Sequence, residues 1–147
     1  MSKIITFRGN LQMGLQDQLS LATIKGKVGY RIKKFQVMQE RPGQISATYV
    51  AKIYSKNQTS FTSTVNFTEG DLMAVCYVVD HASNANPYSE SIIFDNQMTN
   101  QDMFVSITEA DGGTEPANYH IELEAVSIND VQATQLTLKN MRDVLSR

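Results

Sequence analysis

NQMTNQDMFVSITEADGGTEPANYHIELEAVS, residues 96–127, holds two arms of strict alternation around a turn-rich centre. In the first arm Met103, Val105 and Ile107 point one way, and Phe104, Ser106 and Thr108 the other. In the second, Tyr119, Ile121, Leu123 and Ala125 stand opposite His120, Glu122 and Glu124. Side chains of a strand alternate between its two faces, so each arm reads as a strand with one face buried and one in water. The centre, EADGGTEPAN, carries Gly112, Gly113 and Pro116, which punctuate rather than pack. The pattern predicts a long antiparallel hairpin with a projecting tip.

Working outward, the chain has 147 residues, enough for one domain with an ordinary core. A net charge of −2 argues against a surface built to coat nucleic acid. No apolar run has the length needed to cross a membrane. The start, MSKIITFRGN, lacks the pattern of a secretory signal, and the asparagines of Asn57-Gln58-Thr59 and Asn66-Phe67-Thr68 then carry no weight as glycan acceptors. Cys76 is the single cysteine, so neither an internal disulfide nor a multi-cysteine metal site is expected. These features suit folding in a cytosol.

Before the opening stretch, Lys3 to Arg8 reads as a short strand and Gly9 to Asp17 as a loop. Ser20 to Ile24 fits either a strand or one turn of helix. In Lys25 to Gln39, Tyr30 and Ile32 alternate in phase, Lys33-Lys34 intervene, and Phe35 and Val37 resume out of phase. One extra residue in an alternation marks a β-bulge. The basic residues Lys25, Lys27, Arg31, Lys33 and Lys34 lie on this stretch. They read first as a solvated strand face that discourages edge pairing, then as a patch for an acidic partner. Nucleic acid comes third, because no aromatic platform is interleaved with them.

Pro42-Gly43 predicts a turn, Ser46 to Tyr54 a strand, and the threonine-rich Lys56 to Thr64 a loop or an exposed edge. Leu72 to Val79, LMAVCYVV, is apolar throughout and predicts a strand covered on both faces, with Cys76 a small buried hydrophobe. His81 to Ser89 reads as a loop and Ser91 to Phe94 as a short strand. Val75, Tyr77, Val79, Ile93, Val105, Ile107, Ile121 and Leu123 form the expected core. The tail then changes period: Val131, Leu138, Met141 and Leu145 recur at spacings of seven, three and four, a helical stripe. Asn129 is the expected N-cap, with Gln132 completing a capping box. A stripe of this kind docks on its own sheet or on a neighbour.

No constellation of acid, base and nucleophile emerges, so no enzyme activity and no catalytic residue is expected. His120 reads as a surface histidine beside Glu122. A Cys76–His81 dyad fails because burial in an apolar strand raises a thiol pKa. Glu109, Asp111 and Glu115 cluster at the tip, but their spacing matches no calcium loop, and no metal or cofactor is expected. Asp95, Asn96, Asn100, Gln101 and Asp102 are the kind of side chains that bond their own backbone in turns.

The run IFDNQMTNQDMFVS, the tip DGGTEPANY, the strand YHIELEAVSI and the entry Gly29-Tyr30-Arg31-Ile32 with Phe35-Gln36 are similar to small virion proteins of marine tailed bacteriophages. The resemblance implies an antiparallel, jelly-roll-like β-sandwich of roughly eight strands, a single domain over 1–147 whose residues 129–147 form a helical tail. It implies a capsid decoration or cement protein, folded in the host cytoplasm and placed on the capsid surface. The expected partner is the phage major capsid protein, with self-association possible and no nucleic acid or membrane. The contact residues expected on this reading are Glu109, Asp111, Glu115, Tyr88, Val131, Leu138 and Met141. The alternative is a tail-associated or host-attachment module of the same fold, binding glycans through Tyr88, Tyr119 and the loop tips.

Overall fold

A computed structural model describes residues 2–23, 26–44, 46–80, 88–94, 98–110 and 113–145, with the side chains of 2 and 140–145 left aside. The chain is mainly β. Eight strands run β1 (Ser2–Leu11), β2 (Gln16–Leu19), β3 (Val28–Gln39), β4 (Ala47–Tyr54), β5 (Leu72–Asp80), β6 (Tyr88–Ile93), β7 (Met103–Glu109) and β8 (Ala117–Ser127). One helix, α1 (Asp130–Leu145), closes the chain.

The strands form two antiparallel sheets, β1-β8-β3 and β2-β7-β4-β5-β6. β1 pairs with β8, β2 with β7 and β4 with β5, while β3 also packs against β6. The three hydrogen-bonded couples each total nine, as in one long ribbon wound into a jelly roll, while β6 departs from that scheme by pairing with β5 in the sheet opposite β3. The expected jelly-roll-like sandwich with a helical tail is what the chain forms.

The expected β7–β8 hairpin does not form. β8 is held on its two edges by β1 and β3, and β7 by β2 and β4, so consecutive strands lie in opposite sheets. Their alternation is as read: Met103, Val105, Ile107, Ile121 and Leu123 are fully buried. Facing one another across a core satisfies two apolar faces as well as lying side by side does, and alternation cannot distinguish the two.

The core between the sheets joins these residues to Phe35 and Val37 of β3 and to Tyr49, Ala51 and Ile53 of β4. In β5 the inward residues are Ala74, Cys76 and Val78. Val75 belongs instead to a second cluster on the outer face with Val50, Tyr54 and Leu72. Tyr77 is 39% exposed and Val79 half-buried, so the expected core had the phase of β5 inverted. An unbroken apolar run carries no phase, so only the partners on each side decide it. Ile93 packs at the core margin.

The bulge in β3 falls where the alternation breaks, between Ile32 and Lys34. β1 runs on through Gly9 to Leu11, past the expected loop start, because Gly9 lies directly opposite Tyr119. A Cβ at Gly9 would stand 2.7 Å from the Tyr119 hydroxyl oxygen, so the ring occupies the space of the missing side chain. β2 also lies earlier than expected. Leu21 and Ala22 give their N–H groups to the Asp102 carboxylate at 2.7 and 2.8 Å instead of to a ladder.

Candidate binding surface

Four surface regions bear on function, and the tail is the first. Asn129 Oδ1 accepts the Gln132 N–H at 2.8 Å, while Gln132 Oε1 accepts the Asn129 N–H at 3.2 Å. That reciprocal pair is the capping box the sequence predicts. Asp130 in the first turn pairs with Lys27 at 2.9 Å and complements the helix dipole. The helix touches the sandwich through Ala133, which is buried, with Leu136 half-buried. Its polar anchor is Asn100, itself fully buried. Asn100 Nδ2 donates to the carbonyls of Gly26 (3.0 Å) and Ala133 (3.3 Å) and to Thr137 Oγ1 (3.2 Å). Gly26 adopts φ 62°, and a Cβ there would meet the Asn100 amide at 2.9 Å. Through these contacts Val131 and Leu138 face away from the body, 65% and 54% exposed. Met141 lies on the same helix, and its side chain is outside the described residues.

The tip is the second region, and it departs from the expectation. Glu109 is buried. Its Oε1 accepts the Thr48 N–H at 3.0 Å and its Oε2 accepts the Gly113 N–H, while Ala110 N donates to the Thr48 carbonyl at 2.7 Å. This carboxylate stitches the turn to the start of β4 and is not presented to a partner. Glu115 is half-buried and pairs with Arg41 at 3.3 Å. Asp111 lies outside the described residues, as do 81–87 of the expected loop. A carboxylate in a glycine-rich turn looks solvated in sequence, because the Thr48 N–H that it binds is sixty-one residues away.

The third region is the outer face of the five-stranded sheet. Tyr88 is 51% exposed and packs edge-to-face on Tyr77, with ring centres 6.0 Å apart. The Tyr88 hydroxyl donates to Glu90 at 2.7 Å. That bond, with the charge of Glu90, raises the phenol's pKa. Beyond this pair, residues 55–71 fold across the sheet and cover Lys52, which is buried and donates to the Thr64 carbonyl. Burial lowers the Lys52 pKa, with Glu69 partly offsetting it. Gln58, Ser60, Thr62 and Ser106 complete a polar cavity of about 130 Å³ around the ammonium. Lys52 escaped the sequence reading because its place in β4 alternates as a solvent-facing residue should, and only the loop above it makes it interior.

The fourth is the outer face of the three-stranded sheet, where the basic stretch lies. Arg31 pairs with Glu124 at 3.2 Å, without its N–H aimed at the oxygen, and Lys34 lies 3.8 Å from Glu122. These cations neutralise the acids of β8, which fits the solvated strand face; Lys25 lies outside the described residues.

The polar cluster before β7 acts over long range rather than on its own turn. Asp102 Oδ1 takes the Leu21 and Ala22 N–H groups, and Oδ2 takes the Gln18 amide at 2.6 Å. Burial works against the charge, but donation from Ala22, Gln18 and Leu21 together outweighs it and holds the carboxyl below its usual range. Thr99 joins Tyr30 of β3 by two backbone hydrogen bonds, 2.7 and 3.0 Å. The local turn bond here comes from Thr99, whose hydroxyl accepts the Gln101 N–H at 3.0 Å, while the Gln101 side chain donates to Asn100 Oδ1 at 3.2 Å. Asp95 and Asn96 lie outside the described residues.

Among the described residues, no three His, Cys, Asp or Glu side chains gather as a metal site, and no helix is long and apolar enough to cross a membrane. Cys76 is buried, which raises its thiol pKa. Compared with known proteins, the chain matches no family model and no curated protein.

Proposed function

We propose that this chain is a structural virion protein that decorates a tailed-phage head and cements neighbouring copies of the major capsid protein. The observation that carries this reading is the tail: a capped helix, pinned by Asn100, whose apolar residues Val131 and Leu138 face outward. An apolar stripe held rigidly toward solvent is the kind of surface that a partner covers. Rigidity matters, because a pre-ordered element loses less entropy on docking than a floppy one. Contacts of this size are weak singly and become tenacious when a symmetric shell repeats them. The resemblance of the 93–106 and 111–128 segments to phage virion proteins supports the choice of partner.

The test adds the purified chain to heads lacking it and counts bound copies after sedimentation. The parent binds at a copy number set by capsid symmetry, and Val131→Ser with Leu138→Ser lowers occupancy at unchanged fold. Truncation at Asp130 lowers it further. Failure of the parent to bind any head overturns the proposal. The exposed Tyr77–Tyr88 pair favours the second reading, a host-attachment module, since an aromatic face is what a sugar ring packs on. Glycan binding lost in Tyr88→Ala, with no head binding, would establish that reading instead.

A further inference from the structure

On the outer face of the β1-β8-β3 sheet, three rungs carry a pairing within the protein, although the Arg31 Nε–H has no hydrogen-bond acceptor. Arg31 pairs with Glu124, Lys34 with Glu122, and Asn10 donates to Asn118 Oδ1 at 2.9 Å. Between them lies a rung that carries none. Arg8, His120 and Gln36 stand directly opposite one another across the three strands. None of the three side chains has a hydrogen-bond or ion-pair partner among the described residues. Directly opposed residues of neighbouring strands sit about 4.5–5.5 Å apart at Cα, so Arg8 and Gln36 stand about 10 Å apart with His120 between them, a span within reach of their long side chains.

This rung opens on a groove of about 740 Å³. The volume lies within the range of small-molecule sites, about 300–1,000 Å³. Its apolar wall is Met38, 61% exposed and two residues beyond Gln36 on the same strand face, while the side chains of Val37 and Tyr119 belong to the core beneath the sheet. No Asp or Glu lines it, and the nearest acid on β8, Glu122, is already paired with Lys34. A cation with an amide and an imidazole at one end and a thioether at the other sets a chemical demand. The head group must be a planar acceptor that fits the guanidinium fork, and the body must be apolar.

We infer that this groove binds a small organic carboxylate carrying a short apolar body. The carboxylate takes bidentate hydrogen bonds from Arg8 and further ones from Gln36 and His120, and the body lies along Met38. The site is distinct from the helix face proposed to meet the capsid, so head sedimentation and ligand titration fail independently.

The experiment titrates the full-length chain with hexanoate, acetate and hexylammonium, followed by backbone amide NMR. Hexanoate shifts the amides of residues 8–9, 36–38 and 118–120 saturably, acetate binds about tenfold or more weakly, and hexylammonium leaves these signals in place. Arg8→Gln weakens hexanoate about tenfold or more while the remaining spectrum stays put. Arg8→Lys, which keeps the charge and loses the fork, falls between parent and Arg8→Gln. Should Arg8→Gln disturb the fold, Met38→Ser carries the test, bringing hexanoate down toward acetate. The inference is overturned if hexanoate shifts nothing, if hexylammonium shifts the same amides, or if the substituted chain that remains folded binds hexanoate like the parent.

Discussion

The tip around Glu109 and the tail from Asp130 carry similar promise in sequence: each lies beyond an alternating segment and each looks detachable. In the structure they part company. The tip is sewn down by a buried carboxylate that takes backbone donors from Thr48 and Gly113. The tail is also anchored, but through a polar node that leaves Val131 and Leu138 facing outward. The difference lies in which part of each element the anchor consumes. Glu109 spends its functional group on the fold, whereas Asn100 holds the helix by a backbone carbonyl and the Thr137 hydroxyl and leaves Val131 and Leu138 free.

The sharpest way to break this comparison is Glu109→Ala. It strands the Thr48 N–H in a buried site, and we expect a loss of about 3 kcal/mol by urea unfolding, the scale of a lost bond to a charged acceptor plus an unsatisfied donor. A loss under about 0.5 kcal/mol, the ordinary range of surface changes, would return Glu109 to the list of presented side chains.

Asn100→Ala tests the other anchor. We expect about 1–2 kcal/mol of global destabilisation, with hydrogen-exchange protection falling first in α1. Uniform loss of protection across both sheets would mean that the node holds the sandwich together and not the helix specifically.

A smaller effect separates the segment before β7 from both. The Asp102 carboxyl is held low in the folded chain, so the unfolded state binds protons first as pH falls. Its stabilisation is therefore fully present above the unfolded value, about 3.9, and is lost as pH drops through the lower folded value. Urea midpoints of the parent should fall more steeply over that acid window than those of Asp102→Asn. Parallel profiles would remove Asp102 from the acid response.

The smallest change in stability belongs to Leu138→Ser, expected within about 0.5 kcal/mol because the side chain is already in water. Partner binding should nonetheless weaken. A large destabilisation would show that the stripe packs on its own sandwich in solution.

Much of the architecture was legible before any coordinates. Strand faces follow from period-two alternation, so Val105, Ile107, Ile121 and Leu123 were placed inward correctly, and the β3 bulge was visible as one surplus lysine. The capping box of Asn129 and Gln132 was equally readable, because both partners lie within one helical turn. These are local signals: backbone geometry alone determines which side of a strand or helix a residue occupies.

Only the tertiary structure decided who meets whom. It placed β7 and β8 in opposite sheets, chose the inward phase of β5, buried Lys52 beneath residues 55–71, and turned Glu109, Asn100 and Asp102 into staples over long separations in sequence. The free rung of Arg8, His120 and Gln36 has the same origin, since it exists only once β1 and β3 flank β8. The physical reason is common to all of these. A side chain's pattern records that it has a buried or a wet side, but the partner it finds is selected by global packing, where distant segments compete for the same edge, face or donor.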